Sequence, residues 1–195
     1  MAAAHTVVGV LALQGAYDAH HRMLQGMGVA TRRVRQPQDL QGLDALVLPG
    51  GESTTLLHFL QQGTFWQDLQ AFVATRPCLG TCAGLILLAQ QVQPAQPGLG
   101  ALAVTVQRNA YGRQRDSHIR QATTILPGGP MEMVFIRAPR IVQCDPVVQV
   151  LAYSDGTPVL VRQGQTIGCA FHPELSSDTR VHQLLLDAVA DAARR

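Results

Sequence analysis

The segment Gly80-Thr81-Cys82-Ala83-Gly84 constrains this chain more than any other, because it dictates the elements on either side of it. One cysteine stands between two glycines, and the apolar run Leu85-Ile86-Leu87-Leu88 begins at once. A G-x-nucleophile-x-G string marks a sharp turn from a strand into a helix, with the central side chain held out at the turn. The small residues permit a strained backbone and leave room for a carbonyl group beside the sulfur. The N–H groups at the start of the following helix would favour negative charge on that sulfur. The bland alternative is a tight turn carrying a buried thiol, since free cysteine commonly packs as a small apolar residue.

The rest of the chain supplies the sheet such a turn needs. Val7 to Leu13 is a continuous valine-rich run, which suits a parallel strand covered on both faces. The pattern then predicts a helix over about Tyr17 to Met27 stopped by Gly28, and a strand over about Ala30 to Arg35. A third buried strand, Ala45-Leu46-Val47-Leu48, is halted by Pro49-Gly50-Gly51. Ser53 or Thr54 can cap a helix that carries Leu56, Leu57 and Leu60. Another helix, about Thr64 to Thr75, leads into Pro77-Cys78-Leu79 and the cysteine turn. This alternation predicts an α/β fold: an open, mostly parallel sheet flanked by helices, with right-handed crossovers. Such sheets place their sites at the carboxyl ends of the strands. Both glycine-rich turns fall there and can face one crevice.

Beyond about Gly98 the rhythm shifts to short strands: Leu102 to Val106, Ile119 to Ile125, Met133 to Ile136, Val147 to Tyr153, Pro158 to Arg162 and Thr166 to Phe171. Glycine, proline and aspartate turns separate them, which predicts antiparallel additions or hairpins at one side of the same sheet. A terminal amphipathic helix presents Val181, Leu184, Leu185, Ala188 and Val189 on one face, with Ser176 or Ser177 as its cap. No linker or repeat divides the 195 residues, so a single domain over 1–195 is expected.

Composition excludes several classes of function. Fifteen basic against thirteen acidic side chains leave a charge of +2 without a basic block. Arg32, Arg33 and Arg35 form a short cluster that reads as a solvated strand edge, so no nucleic-acid partner is expected. No apolar run approaches the ~20 residues needed to span a bilayer, so no membrane partner is expected either. The residues Met1 to His5 lack the basic stretch of a signal peptide. The four cysteines form no C-x-x-C pair, which points to a reducing, cytoplasmic setting.

A thiol nucleophile needs a base within reach and benefits from a third group that orients the base. Of seven histidines, His20 and His21 fall on a helix read as a surface helix, and His58 and His182 read as helix-side residues. His118 has no nearby carboxylate except Asp116. His172 differs, because it ends a strand and is followed by Pro173-Glu174. Proline holds its predecessor extended, and residues two apart in an extended chain project to the same side. Glu174 can then meet one imidazole nitrogen while the other faces a sulfur; the alternative is a strand-end histidine beside a solvated glutamate. A Cys82-His172-Glu174 triad would act on an acyl carbon, and its oxyanion would need preorganised donors. Ala83 N–H is one candidate, and the Gly50-Gly51 segment, through Gly51, is the other. Cys78, Cys144 and Cys169 lack the glycine setting and read as structural.

The strings Leu46 to Ser53, Gly80 to Gly84 and Phe171-His172-Pro173-Glu174, in that order, resemble class I, triad-type glutamine amidotransferases. Four further strings are similar to the glutaminase subunits of pyridoxal 5′-phosphate synthase. They are Leu11 to Ala16, Gly51 to Thr55, Arg108-Asn109-Ala110-Tyr111-Gly112-Arg113-Gln114 and Phe135-Ile136-Arg137-Ala138-Pro139. The similarity runs from about Val7 to the last helix. Leu79, Tyr111 and the segment Asp116 to Ile119 depart from the usual pattern, and none of them removes a catalytic group. The resemblance implies that Cys82 attacks the side-chain amide of L-glutamine, that ammonia leaves, and that water activated by His172 hydrolyses the glutamyl thioester. It implies a glutamine pocket of Gly51, Glu52, Ser53, Arg108, Ile136 and Arg137, with no cofactor and no metal. It also implies a separate synthase subunit in a large hetero-oligomer, which takes up the ammonia through a tunnel. The free glutaminase is then expected to be poorly active until docking moves the Gly50-Gly51 peptide, with Gln14 near the docking surface. Other readings are a class I amidotransferase serving histidine, purine or folate synthesis, a non-catalytic regulatory module, or a cysteine peptidase or chaperone-like member of a related α/β fold.

Overall fold

A computed structural model describes residues 6–109 and 117–194. The first half alternates as β1 (Val7–Leu11), α1 (Tyr17–Gly26), β2 (Ala30–Val34), β3 (Ala45–Leu48), α2 (Ser53–Leu60), α3 (Phe65–Thr75), β4 (Cys78–Thr81) and α4 (Ala83–Leu88). Five short strands follow: β5 (Ala89–Gln93), β6 (Leu102–Gln107), β7 (Ser117–Ala122), β8 (Met131–Ile136) and β9 (Arg140–Cys144). The chain closes with β10 (Gln149–Ser154), β11 (Thr157–Gln163), β12 (Thr166–Cys169) and α5 (Arg180–Ala192).

The uninterrupted apolar runs form the middle of a seven-stranded sheet, in the order β10-β11-β12-β4-β3-β1-β2. Every residue of β3, β4 and β12 is buried, as continuous hydrophobic strands between helix layers must be. Pairing is parallel from β12 through β2, whereas β10 and β11 are antiparallel additions at one edge. At the other edge, β2 carries Arg32 and Arg33 as expected of a solvated strand, and Arg33 pairs with Asp18 at 2.8 Å. No helix among the described residues is long and apolar enough to cross a membrane.

Three expectations are corrected. The late strands do not all join the main sheet: β5-β6-β9 form a three-stranded sheet and β7-β8 a two-stranded one. Within these, β5 and β9 lie where no strand was expected. β5 follows α4 with no intervening turn residue, and β9 buries only Ile141, so neither announces itself by a boundary or an alternation. The caps also differ. Glu52, not Ser53 or Thr54, precedes α2 and accepts from Thr54 N–H at 3.3 Å, while Thr179 rather than Ser176 or Ser177 precedes α5. The third correction concerns His20, His21 and His182, which are buried rather than placed on a surface face. Helix α1 has only Leu24 as a buried apolar side chain, so the two histidines complete the face it turns inward.

Candidate active site

Strand register assembles the site. Parallel pairing sets Ile167 beside Leu79, Gly168 beside Gly80 and Cys169 beside Thr81, so β4 and β12 end side by side. The Cys82 N–H donates to the Cys169 carbonyl at 2.9 Å, which locks the cysteine turn to the segment that carries His172. On the other side, Leu48 lies beside Gly80, bringing Pro49-Gly50-Gly51 to the same end of the sheet. Residues far apart in the sequence thus meet because their strands are neighbours.

Cys82 sits at φ +50°, ψ −106°, a conformation that costs an L residue on the order of 1–3 kcal/mol. The surrounding glycines explain why the chain can hold it. A Cβ on Gly84 would stand 1.8 Å from the Leu48 carbonyl oxygen, and one on Gly80 would stand 2.6 Å from Gly84. Helix α4 can therefore press against β3 and β4 only with glycine at both positions. Glycine at 50 serves the partner side chain, because a Cβ there would lie 2.5 Å from His172 Cε1.

His172 Nδ1–H donates to Glu174 Oε1 at 2.7 Å, and both side chains are buried. Burial disfavours the imidazolium, but hydrogen bonding to Cys82 and Glu174 outweighs it and raises the His172 pKa to about 10. A second bond, from His172 N–H to the Val134 carbonyl at 2.8 Å, fixes the backbone beneath the ring. The Cys82 thiol lies 3.9 Å from the carbonyl of Ile136, at the end of β8.

A cleft of about 130 Å³ opens over the sulfur. Of the residues expected around a substrate, Gly51, Glu52, Ser53, Arg108, Ile136 and Arg137 all line it, together with Cys82 and His172. Ala83 is buried in the first turn of α4, where backbone N–H groups have no intrahelical partner. The Glu52 carboxylate is engaged with Thr54 N–H and Oγ1, so this residue borders the cleft while its charge serves the helix start. Arg108 donates to Gln96 and to Ser53 Oγ, and its buried Nε has no partner among the described residues. Ala110 to Gln114 of the Arg-Asn string, with Asp116, lie outside the described residues. His118 stacks on Phe135 with ring centroids 4.9 Å apart and does not border this cleft.

Several neighbours were not singled out from sequence. Gln96, which ties Ser53 to Arg108, lies in a proline-rich loop with no local sign of a role. Ile86, Asn109 and Pro139 complete the cleft wall. Gln14, which the resemblance set near the docking surface, accepts from Glu52 N–H at 2.9 Å and stands where a side chain on Gly51 would be. The Gly50 carbonyl in turn accepts from Ala16 N–H at 3.0 Å, so residues 14–16 hold both ends of the glycine loop. All four cysteines are free thiols; burial pushes Cys78 and Cys169 far up, and Cys144 upward to a lesser degree.

A mostly parallel sheet flanked by helices, with its cleft at the strand ends beside a cysteine turn, is the fold of the class I glutamine amidotransferases. One solved structure described as a glutamine amidotransferase superposes with a TM-score of 0.88 at 40% identity, covering 94% of this chain and 98% of that one. A glutamine amidotransferase from Thermotoga maritima, at 13% identity and a TM-score of 0.61, shares the fold alone, over 98% of this chain and 85% of that one. The chain belongs to the SNO glutamine amidotransferase family, which it matches over residues 10–191. It is 55% identical over 183 residues to the pyridoxal 5′-phosphate synthase subunit PdxT of Koribacter versatilis, covering 93% of this chain and 95% of that protein. The protein of the same name from Deinococcus radiodurans is 46% identical over 193 residues, covering 95% and 98% respectively.

Proposed function

We propose that this chain hydrolyses L-glutamine to L-glutamate and ammonia for pyridoxal 5′-phosphate synthesis, with Cys82 as nucleophile, His172 as acid and base, and Glu174 as its orienting carboxylate. The observation that carries the reading is the meeting, in one cleft, of a cysteine at φ +50° with a buried His172–Glu174 pair and the guanidinium of Arg108.

The chemistry follows from that arrangement. The Cys82 sulfur attacks the side-chain amide carbon of glutamine, and the carbonyl electrons move onto oxygen. N–H groups of Ala83 and Gly51 receive this oxyanion, the donors that preorganised amide sites use for the purpose. His172, whose pKa is raised to about 10, holds a proton that it gives to the departing nitrogen. The C–N bond breaks and ammonia leaves a glutamyl thioester. Water then attacks the thioester and loses a proton to His172, the C–S bond breaks, and glutamate departs. Arg108 suits the α-carboxylate of the substrate, since a guanidinium binds carboxylate with paired donors. Ser53, Glu52, Ile136 and Arg137 shape the remainder of the pocket.

The ammonia passes to a synthase subunit within a large hetero-oligomer, a reading supported by the subunit names of the relatives. A single glutaminase domain over 1–195 is supported by one apolar core that runs from Val8 to Leu185. Four free thiols support a cytoplasmic setting. The test is glutamine-dependent ammonia release, assayed with and without the cognate synthase subunit, alongside Cys82→Ala. The substitution is expected to lower turnover by ~10³-fold or more. Ammonia release unaffected by it would sink the mechanism.

A further inference from the structure

Glu174 uses only one of its oxygens on His172. The other, Oε2, is buried without a hydrogen-bond partner among the described residues, yet His20 Nε2 stands 3.4 Å from it. The same ring nitrogen lies 3.2 Å from Thr81 Oγ1, and His20 Nδ1 lies 2.8 Å from His182 Nε2. His20 and His182 are fully buried and come from the first and last helices. The groups that face His20 are thus His182 from α5, Thr81 from β4, and Glu174 and His172 from the segment after β12, with His21 beside it on α1.

The protons in this row can be assigned. Either His20 donates from Nε2 toward Glu174 and accepts at Nδ1 from His182, or the order is reversed. Reversal would leave His20 Nε2 only the Thr81 hydroxyl to accept from while turning its lone pair toward a carboxylate oxygen, and would leave a buried N–H at His182 Nδ1 without an acceptor among the described residues. Both features are costly in a low-dielectric interior. The first order leaves only an acceptor unpaired at His182 Nδ1. Burial first, and then the neighbouring His182, His172 and His21, hold His20 well below the ordinary histidine range, while burial lowers His182 to about 4. Both rings are neutral at pH 7. A neutral donor fixes a carboxylate without cancelling the charge that must face the imidazolium, which an arginine or lysine at this place would do.

We propose that His20 is a positioning residue of the glutaminase site, holding Glu174 through Oε2, with His182 fixing its donor tautomer. This rests on the triad proposed above and extends it by two residues. The test measures kcat and KM for ammonia release by the complex with its synthase subunit, in His20→Leu, His20→Gln and His182→Leu, with Cys82→Ala and Glu174→Gln in parallel. His20→Leu should lower kcat ~10- to 100-fold, the scale on which partners behind an oriented histidine act, and leave KM within about twofold. Gln, which can present an N–H near the place of Nε2, should restore most of the loss. Combining His20→Leu with Glu174→Gln should add little to Glu174→Gln alone, because both act through one carboxylate.

Wild-type kcat in His20→Leu, equal impairment of the Leu and Gln variants, or full additivity with Glu174→Gln would overturn the proposal. If His20→Leu does not fold, His182→Leu decides: a fall in kcat at constant KM supports the relay, and unchanged kcat overturns it. Failure of the triad reading looks different, since Cys82→Ala would then keep its activity.

Discussion

At the scale of single residues, the chemistry of this cleft turns on which groups hold charge. His172 and Glu174 form a buried donor–acceptor pair at 2.7 Å, and removing the negative charge while keeping the shape isolates its contribution. Glu174→Gln is expected to cost about 10²- to 10⁴-fold in kcat with the fold preserved, the range seen when an orienting carboxylate becomes an amide. Steady-state kinetics beside circular dichroism would check it, and wild-type turnover would refute the orienting role. The partners were legible in the chain but their geometry was not: Pro173–Leu175 form a 3₁₀ turn rather than the extended stretch expected, and that turn brings Glu174 to the ring of His172. Nor was the contact at the carboxylate's second oxygen legible. His20 and His182 are separated by 162 residues, and each sits in a helix whose own pattern gives no reason to bury a polar ring. Local periodicity reports which side of a helix is apolar, and it cannot report that two helices exchange a hydrogen bond through their inner faces.

At the scale of elements, the glycines decide the geometry and divide into two kinds. Gly84 is a packing glycine, since an added methyl would collide with the Leu48 backbone at 1.8 Å. Gly84→Ala is expected to destabilise the protein by at least the upper end of the ~1–3 kcal/mol that overpacking costs, read from the midpoint of urea denaturation. Gly50 is a site glycine, because its added methyl would meet the tip of His172 rather than backbone. Gly50→Ala should therefore lower kcat far more than it lowers the melting temperature, and equal effects on both would contradict this division. The parallel core could be read from the valine-rich runs, as could the placing of both glycine turns at strand ends. The fate of the later strands could not be read. Once a chain leaves the β-α-β rhythm, short segments such as Arg140–Cys144 carry too few buried residues to specify which sheet they join. The cleft wall shows the same limit: Gln96 reaches Ser53 and Arg108 from a loop whose sequence says only that it turns.

At the scale of the whole molecule, buried histidines of opposite character set a window of stability. His182 has its pKa lowered to about 4, so its contribution is present above the unfolded value of 6.5 and is lost as pH falls from 6.5 through about 4. That loss is on the order of 3 kcal/mol, and His20 acts in the same direction. His172 has its pKa raised to about 10, so its contribution is full below 6.5 and disappears as pH rises through about 10. Melting temperature plotted against pH should form a dome; His182→Leu should flatten its limb between pH 6.5 and 4, and His172→Gln its alkaline limb. An unchanged acid limb in the His182 variant would show that other groups carry it. The position of β12 has a further consequence. It pairs with β4 near the middle of the main sheet, although it is the last strand to be made. During synthesis the thiol at position 82 emerges long before residue 174, and through that interval it has neither His172 nor the strand that aligns its turn. A chain cut short before β12 thus lacks both the strand that aligns the turn at residue 82 and the segment that brings His172 and Glu174 beside it.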